Sequence, residues 1–338
     1  MASLIRMMEV SRQHLLSSKM LNTAPIAPSP LTLPAMPKKA VRKVMPKLKT
    51  PVKADAVASD VLVASPTPRR IEGATPGCYA LELTNGEYHS LPQSISCSGI
   101  KSILRSPAHF QAMREAFSPE PSDDLGTALH AILLEPERFA TDYLSYKGIR
   151  RGKKWDEFRA NNPGKIILTD DELDRVARMR DSVMQFDEFP IFKALSTARR
   201  EFSVFWTDEE TGVQCRVRFD ALNDPFAIWD LKSCGDARPE AFVRQAARLD
   251  YDLQSAMYTE AARRFTGSII DFIFVAVETE APFGVWPHIA GASMLENGHR
   301  KFRRGLEAFK RSMDTQSWPS YKNTMTTLEF PRYAMISD

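Results

Sequence analysis

Residues 212–236 read GVQCRVRFDALNDPFAIWDLKSCGD. Val213 to Leu222 and Phe226 to Lys232 are short runs rich in Val, Ile, Phe and Trp, split by Asn223-Asp224-Pro225, and they predict a β-hairpin. A hairpin puts Asp220 and Asp230 near each other on neighbouring strands. Residues two apart on a strand share a face, so Asp230 and Lys232 project together. Two carboxylates and an ammonium then converge on one spot, a set that suits a hard cation such as Mg²⁺ bound through oxygen. The lysine would act on an attacking hydroxide or on charge building at a phosphate. Asp-x-Lys also occurs as a plain salt bridge at a strand end. Here Ile228, Trp229 and Leu231 make the strand apolar, where charges need a partner or a metal.

Working outward, Gln254 and Tyr258 in YDLQSAMY are four apart and share one face of a predicted helix. A buried face with a polar tip would explain them equally. His130 lies on a helix whose Leu129, Ile132 and Leu133 form an apolar stripe, so in isolation it reads as a hydrogen-bonded core histidine as readily as a ligand. Gly126 and Ala128 are small enough to let that helix approach a sheet or substrate closely.

These residues together resemble the PD-(D/E)XK nucleases of the RecB type. Closer still, SISCSGIKSILRSPAHF at 94–110, LGTALHAILLEPERF at 125–139 and EFSVFWTDEETGVQCRVRFDAL at 201–222 are similar to the RecE (exonuclease VIII) group of phage and prophage recombination exonucleases. With the Asp230-Leu231-Lys232 and Gln254-x-x-x-Tyr258 segments, the likeness runs in order from about Tyr88 to Phe309. The resemblance implies a restriction-endonuclease-like α/β core, a mixed β-sheet flanked by helices with the active site along one sheet edge. It implies that His130, Asp220 and Asp230, with the Leu231 carbonyl, hold Mg²⁺ or Mn²⁺, that Lys232 is the catalytic lysine, and that Gln254 and Tyr258 complete the catalytic set. Glu201 matches an acidic position of no assigned role. The activity implied is 5′-to-3′ digestion of linear double-stranded DNA, leaving 3′ strands for a single-strand annealing protein, by a homo-oligomer that could be a ring. Rival readings are a structure-specific endonuclease or Cas4-like single-strand exonuclease of the same fold, and a non-catalytic DNA-binding module.

Composition fits a basic arm on an acidic enzyme body. Residues 1–70 carry 12 Lys+Arg against 3 Asp+Glu and nine of the chain's 23 prolines, leaving 33 Lys+Arg against 39 Asp+Glu in the remainder. A Pro-rich, aromatic-poor segment such as PSPLTLPAMPKKAVRKVMPKLKTPVK cannot bury enough surface to fold alone. Residues 1–75 are therefore expected to be a disordered tether and 76–338 the nuclease domain. No apolar run reaches the roughly 18 residues of a membrane span, and the four cysteines lack C-x-x-C spacing. A cytoplasmic protein with reduced thiols is expected.

Helices are predicted from a Ser96 or Ser98 cap to Ser106-Pro107, and over about 125–135, 170–186, 238–265 and 293–314. Strands are predicted over 201–207, 213–222, 226–233, 269–278 and 285–294. Arg150, Arg151, Lys153, Lys154 and Trp155 form a basic loop ending in an aromatic, suited to phosphates and stacking, or equally a solvated turn. Arg300, Lys301, Arg303, Arg304, Lys310 and Arg311 give the last helix a second basic stripe.

Overall fold

The computed structural model describes residues 69–91, 94–116, 124–187, 191–223, 227–321 and 324–329. The expected disordered arm falls largely on residues 1–68, outside those described, as does the turn at residues 224–226. In chain order the strands are β1 (Arg70–Glu72), β2 (Tyr79–Leu81), β3 (Tyr143–Tyr146), β4 (Ile166–Thr169), β5 (Arg199–Thr207), β6 (Gln214–Asn223), β7 (Ala227–Cys234), β8 (Asp271–Glu278) and β9 (Val285–Ile289). The helices are α1 (Asn85–Ser90), α2 (Cys97–Arg105), α3 (Pro107–Glu115), α4 (Leu125–Leu134), α5 (Pro136–Asp142), α6 (Lys153–Asn161), α7 (Asp170–Gln185), α8 (Ile191–Thr197), α9 (Pro239–Arg248), α10 (Tyr251–Thr266) and α11 (Ala292–Thr315).

One mixed sheet runs in the order β1-β2-β5-β6-β7-β8-β9, and β3 pairs with β4 in a small parallel sheet. Within the large sheet every pairing is antiparallel except β7 with β8. A parallel pair needs a crossover, and α9 with α10 provides it. β1 lies inside the stretch assigned from sequence to the arm, yet it pairs with β2 residue for residue from Arg70 to Glu72. The apolar run Asp271–Glu278 is buried at every interior position, as a strand covered on both faces must be. Phe219, Phe272, Phe274 and Phe302 are fully buried in the main core, and each such ring contributes about 1.5–3 kcal/mol by leaving water.

Two expectations need correction. The single helix over 238–265 is two helices, because Asp250 takes a left-handed backbone (φ 52°) that no α-helix continues. Nor is the site along an outer edge of the sheet. β6 and β7 pair only at Ala221↔Trp229, Leu222↔Ile228 and Asn223↔Ala227, and beyond Asp220 they part. The freed edge of β6 is taken up by the segment before α2, where Ile95 N–H donates to Gln214 O (2.8 Å) and Arg216 N–H to Ile95 O (2.9 Å), so buried backbone groups stay paired. This central fork, with α2 wedged beside it, holds the candidate residues.

Candidate active site

Asp220 stands at the point of the fork. Its Oδ2 accepts from Leu231 N–H (2.8 Å), replacing the backbone acceptor lost when the strands part. On the next strand Arg200↔Ala221 and Phe202↔Phe219 pair in register, so Glu201 sits opposite Asp220, with a left-handed backbone (φ 47°) interrupting the ladder. Inward positions change parity here too, since Val217 and Phe219 but then Leu222 enter the main core.

His130 arrives from α4. Asp124 caps that helix by accepting from Thr127 N–H (2.8 Å), and Ala128, Leu129, Ala131, Leu133 and Leu134 are buried. Gly126 permits the close approach expected of it, because a Cβ there would lie 2.8 Å from Ser233 Oγ on β7. His130 Nε2 lies 2.9 Å from Leu231 O, an acceptor, so that nitrogen carries the proton. In the neutral ring Nδ1 then turns its lone pair toward Asp220 Oδ2, 3.4 Å away.

Donor atoms of His130, Glu201 and Asp220 lie within 4.8 Å of one another. Burial, then the charges of Asp220 and Glu135, push the Glu201 carboxyl up to about 8. Two carboxylates and an imidazole lone pair crowded in this way fit a divalent cation, and an imidazole whose other nitrogen donates to a carbonyl is the usual arrangement of a metal-bound histidine. Glu201 thus joins His130 and Asp220 as a candidate ligand, and Asp230, also expected in the set, lies beside them in its pair with Lys232. The Leu231 carbonyl, expected to help hold the ion, lies 2.9 Å from His130 Nε2.

Asp230 is 1 % exposed and forms an ion pair with Lys232 through Oδ2. Its Oδ1 accepts from Gln254 Nε2 (2.6 Å). Burial, with Asp220 nearby, raises the Asp230 carboxyl to about 6 despite Lys232. Burial works against the Lys232 ammonium, but Asp230 and Asp220 more than offset it and hold the group above its ordinary value. Lys232 also rests over the Tyr251 ring, 5.2 Å from its centre. Tyr258, one turn after Gln254, packs edge-on against Phe219 (5.5 Å), and burial raises its phenol well above the usual value.

A cleft of about 330 Å³ opens over the cluster, lined by Glu201, Asp220, His130 and Tyr258 together with Arg218 and Glu135. Arg218 was not picked out from the sequence. Its Nε donates to Ser203 Oγ (2.9 Å), its Nη2 to Leu83 O (2.8 Å), and its Nη1 lies 3.9 Å from Glu201. Residues 150–155 do not line the cleft. Arg150 donates to Ile167 O (2.6 Å) and pairs with Glu172, Trp155 packs on Tyr146 (5.1 Å), and Lys153 lies 3.7 Å from Glu157 on an exposed face. On α11, Lys301 pairs with Asp250 and Asp252, Arg303 with Asp208 and Glu210, Arg300 with Glu296 and Lys310 with Asp314. Much of that stripe is neutralised within the molecule.

Residues 96–328 match the family model described as a PDDEXK-like domain of unknown function (DUF3799). A solved structure of a protein from Eubacterium rectale, described as a "putative exonuclease", superposes with a TM-score of 0.51 at 16% identity, over 74% of this chain and 96% of that one. No curated protein matches the sequence. Among the described residues no helix is long and apolar enough to cross a membrane.

Proposed function

This chain belongs to the family of PDDEXK-like domains of unknown function, and from that premise we propose that it is a divalent-metal-dependent deoxyribonuclease acting on linear double-stranded DNA. The observation that carries the reading is the meeting of His130, Glu201 and Asp220 within 4.8 Å, beside the buried Asp230–Lys232 pair. Glu201, Asp220 and His130 would hold the ion, taken to be Mg²⁺ or Mn²⁺. Bound there, it would supply an activated water and neutralise phosphate charge.

The chain's own groups divide the remaining work. Lys232, kept charged by Asp230, stabilises negative charge on the attacked phosphate rather than removing a proton. Gln254 fixes the Asp230 carboxylate and thereby the direction of Lys232. Tyr258 stays a neutral phenol at the cleft wall. The finer assignment, a 5′-to-3′ exonuclease leaving 3′ strands for an annealing protein, with an oligomer around the DNA in the host cytoplasm, rests on the ordered RecE-like segments.

End-labelled linear duplex, labelled 5′ or 3′, is incubated with the protein and Mg²⁺ beside nicked and closed circles. Release of 5′ label with closed circles intact is expected. Cutting of the closed circle would replace the exonuclease reading with an endonuclease. Lys232→Ala and Asp220→Ala should each lower the rate about 100-fold or more with unchanged circular dichroism, and full activity in both would overturn the assignment.

A further inference from the structure

Tyr251 is the first residue of α10, brought there by the left-handed turn at Asp250 (φ 52°) that separates it from α9. Gln254 lies one turn further along the same helix, and residues three apart share a face. That face meets both members of the buried ion pair. Gln254 holds Asp230 (2.6 Å), and the Lys232 ammonium lies over the Tyr251 ring, 5.2 Å from its centre. The ring is itself locked in place: it stacks on Phe274 (5.5 Å), packs against Phe242 (5.9 Å) and is 8 % exposed. Its phenol accepts from Gln245 Nε2 (3.4 Å), which also donates to Ser233 O (3.2 Å), the carbonyl of the residue after Lys232.

We propose that Tyr251 is a positioning residue for Lys232: its π face holds the ammonium ready for the attacked phosphate. The inference rests on the nuclease reading and adds a group that acts through the lysine without touching DNA. A lysine head on a flexible stem has many rotamers, and ordering it costs entropy. Asp230 restrains it on one side, with Leu231 O at 3.4 Å. A ring face adds a second restraint, because its quadrupole draws a cation to within about 6 Å of the centroid. That attraction strengthens out of water, and the Lys232 side chain is 15 % exposed. Unlike a second carboxylate, the ring holds the charge without neutralising it, so the ammonium stays available to the phosphate. Lys101 of α2 also faces this ring, 5.8 Å from its centre, but its ammonium donates to Leu249 O.

The test measures kcat and KM of the full chain on linear duplex in Mg²⁺. Tyr251→Leu should lower kcat about tenfold with KM little changed, and Tyr251→Phe should recover most of that loss, since the ring carries the effect. In the Lys232→Ala background, Tyr251→Leu should cost nothing further, a coupling that a general loss of packing would not reproduce. Should Tyr251→Leu misfold by circular dichroism, phenylalanine and its mono- and trifluorinated forms placed at position 251 keep the ring shape while weakening its π face, and kcat should fall with each fluorine. Lys101→Met removes the other cation and should leave most of kcat. An unchanged kcat in Tyr251→Leu, a loss that persists in full without Lys232, a flat fluorine series or an equal loss in Lys101→Met would each overturn the proposal. Independently of cleavage, the ring current should move the Lys232 ε-CH₂ proton signal upfield, and Tyr251→Leu should return it. A protein that shows this shift but cuts nothing refutes the nuclease reading alone. One that cuts through Lys232 with kcat unaltered in Tyr251→Leu refutes the role of Tyr251 alone.

Discussion

Glu201 combines a costly backbone with a costly charge. A left-handed conformation at a residue with a Cβ costs about 1–3 kcal/mol, and its carboxylate is packed against Asp220. The backbone cost gives a direct prediction: Glu201→Gly should unfold in urea at least about 1 kcal/mol later than Glu201→Ala, with both losing any stabilisation by Mg²⁺. Asp208 gives a prediction in acid. Burial opposes its charge, but hydrogen bonds from Thr211 and Arg303 outweigh that and depress its folded value. A depressed carboxyl contributes stability above its unfolded value, about 3.9, and loses it as pH falls through the folded one. Asp208→Asn should therefore be less stable than wild type at pH 7, by about 1 kcal/mol or more, and the gap in urea denaturation should close on lowering the pH below about 4. At this scale Asp220, Asp230, Lys232, His130, Gln254 and Tyr258 were legible, because strand and helix periodicity with ordered segments brings them together. Glu201 was noted only as an acidic position without a role, since its place beside Asp220 depends on a local φ and on β5 lying beside β6. The partners of the basic clusters were not legible for a similar reason: the acids that pair with Arg150 and Arg303 lie 22 and 95 residues away.

Among the elements, the break between α9 and α10 was invisible to periodicity because apolar spacing continues across Leu249-Asp250 while the chain turns. The α2–α3 junction was read in part. Ser106-Pro107 marks an end, but Ser106 also caps the next helix, accepting from His109 N–H (3.3 Å). Ser106→Ala should cost about 1 kcal/mol in chemical denaturation. The tightest helix contact is less forgiving. A Cβ on Gly298 of α11 would lie 1.9 Å from Asp252 O on α10, so Gly298→Ala should lower stability by about 1–3 kcal/mol or more, measured by thermal or urea unfolding.

At the level of the whole molecule, an ion bound only by the folded fork must stabilise the fold, by about 2.7 kcal/mol at a hundredfold excess over its dissociation constant. Titrating Mg²⁺ should raise the melting temperature of wild type and of Lys232→Ala, whose ligands are intact, but not of the Glu201→Gln, Asp220→Asn double variant. The sheet order also governs when that fork can exist. β7 pairs its backbone with β6 only at its start, whereas Asp230, Leu231 and Lys232 align with Phe274, Val275 and Ala276 of β8. The stretch bearing the motif is thus buttressed by residues translated some forty positions later. A nascent polypeptide still emerging from the ribosome would be chemically silent toward the nucleic acids around it until that later strand docks.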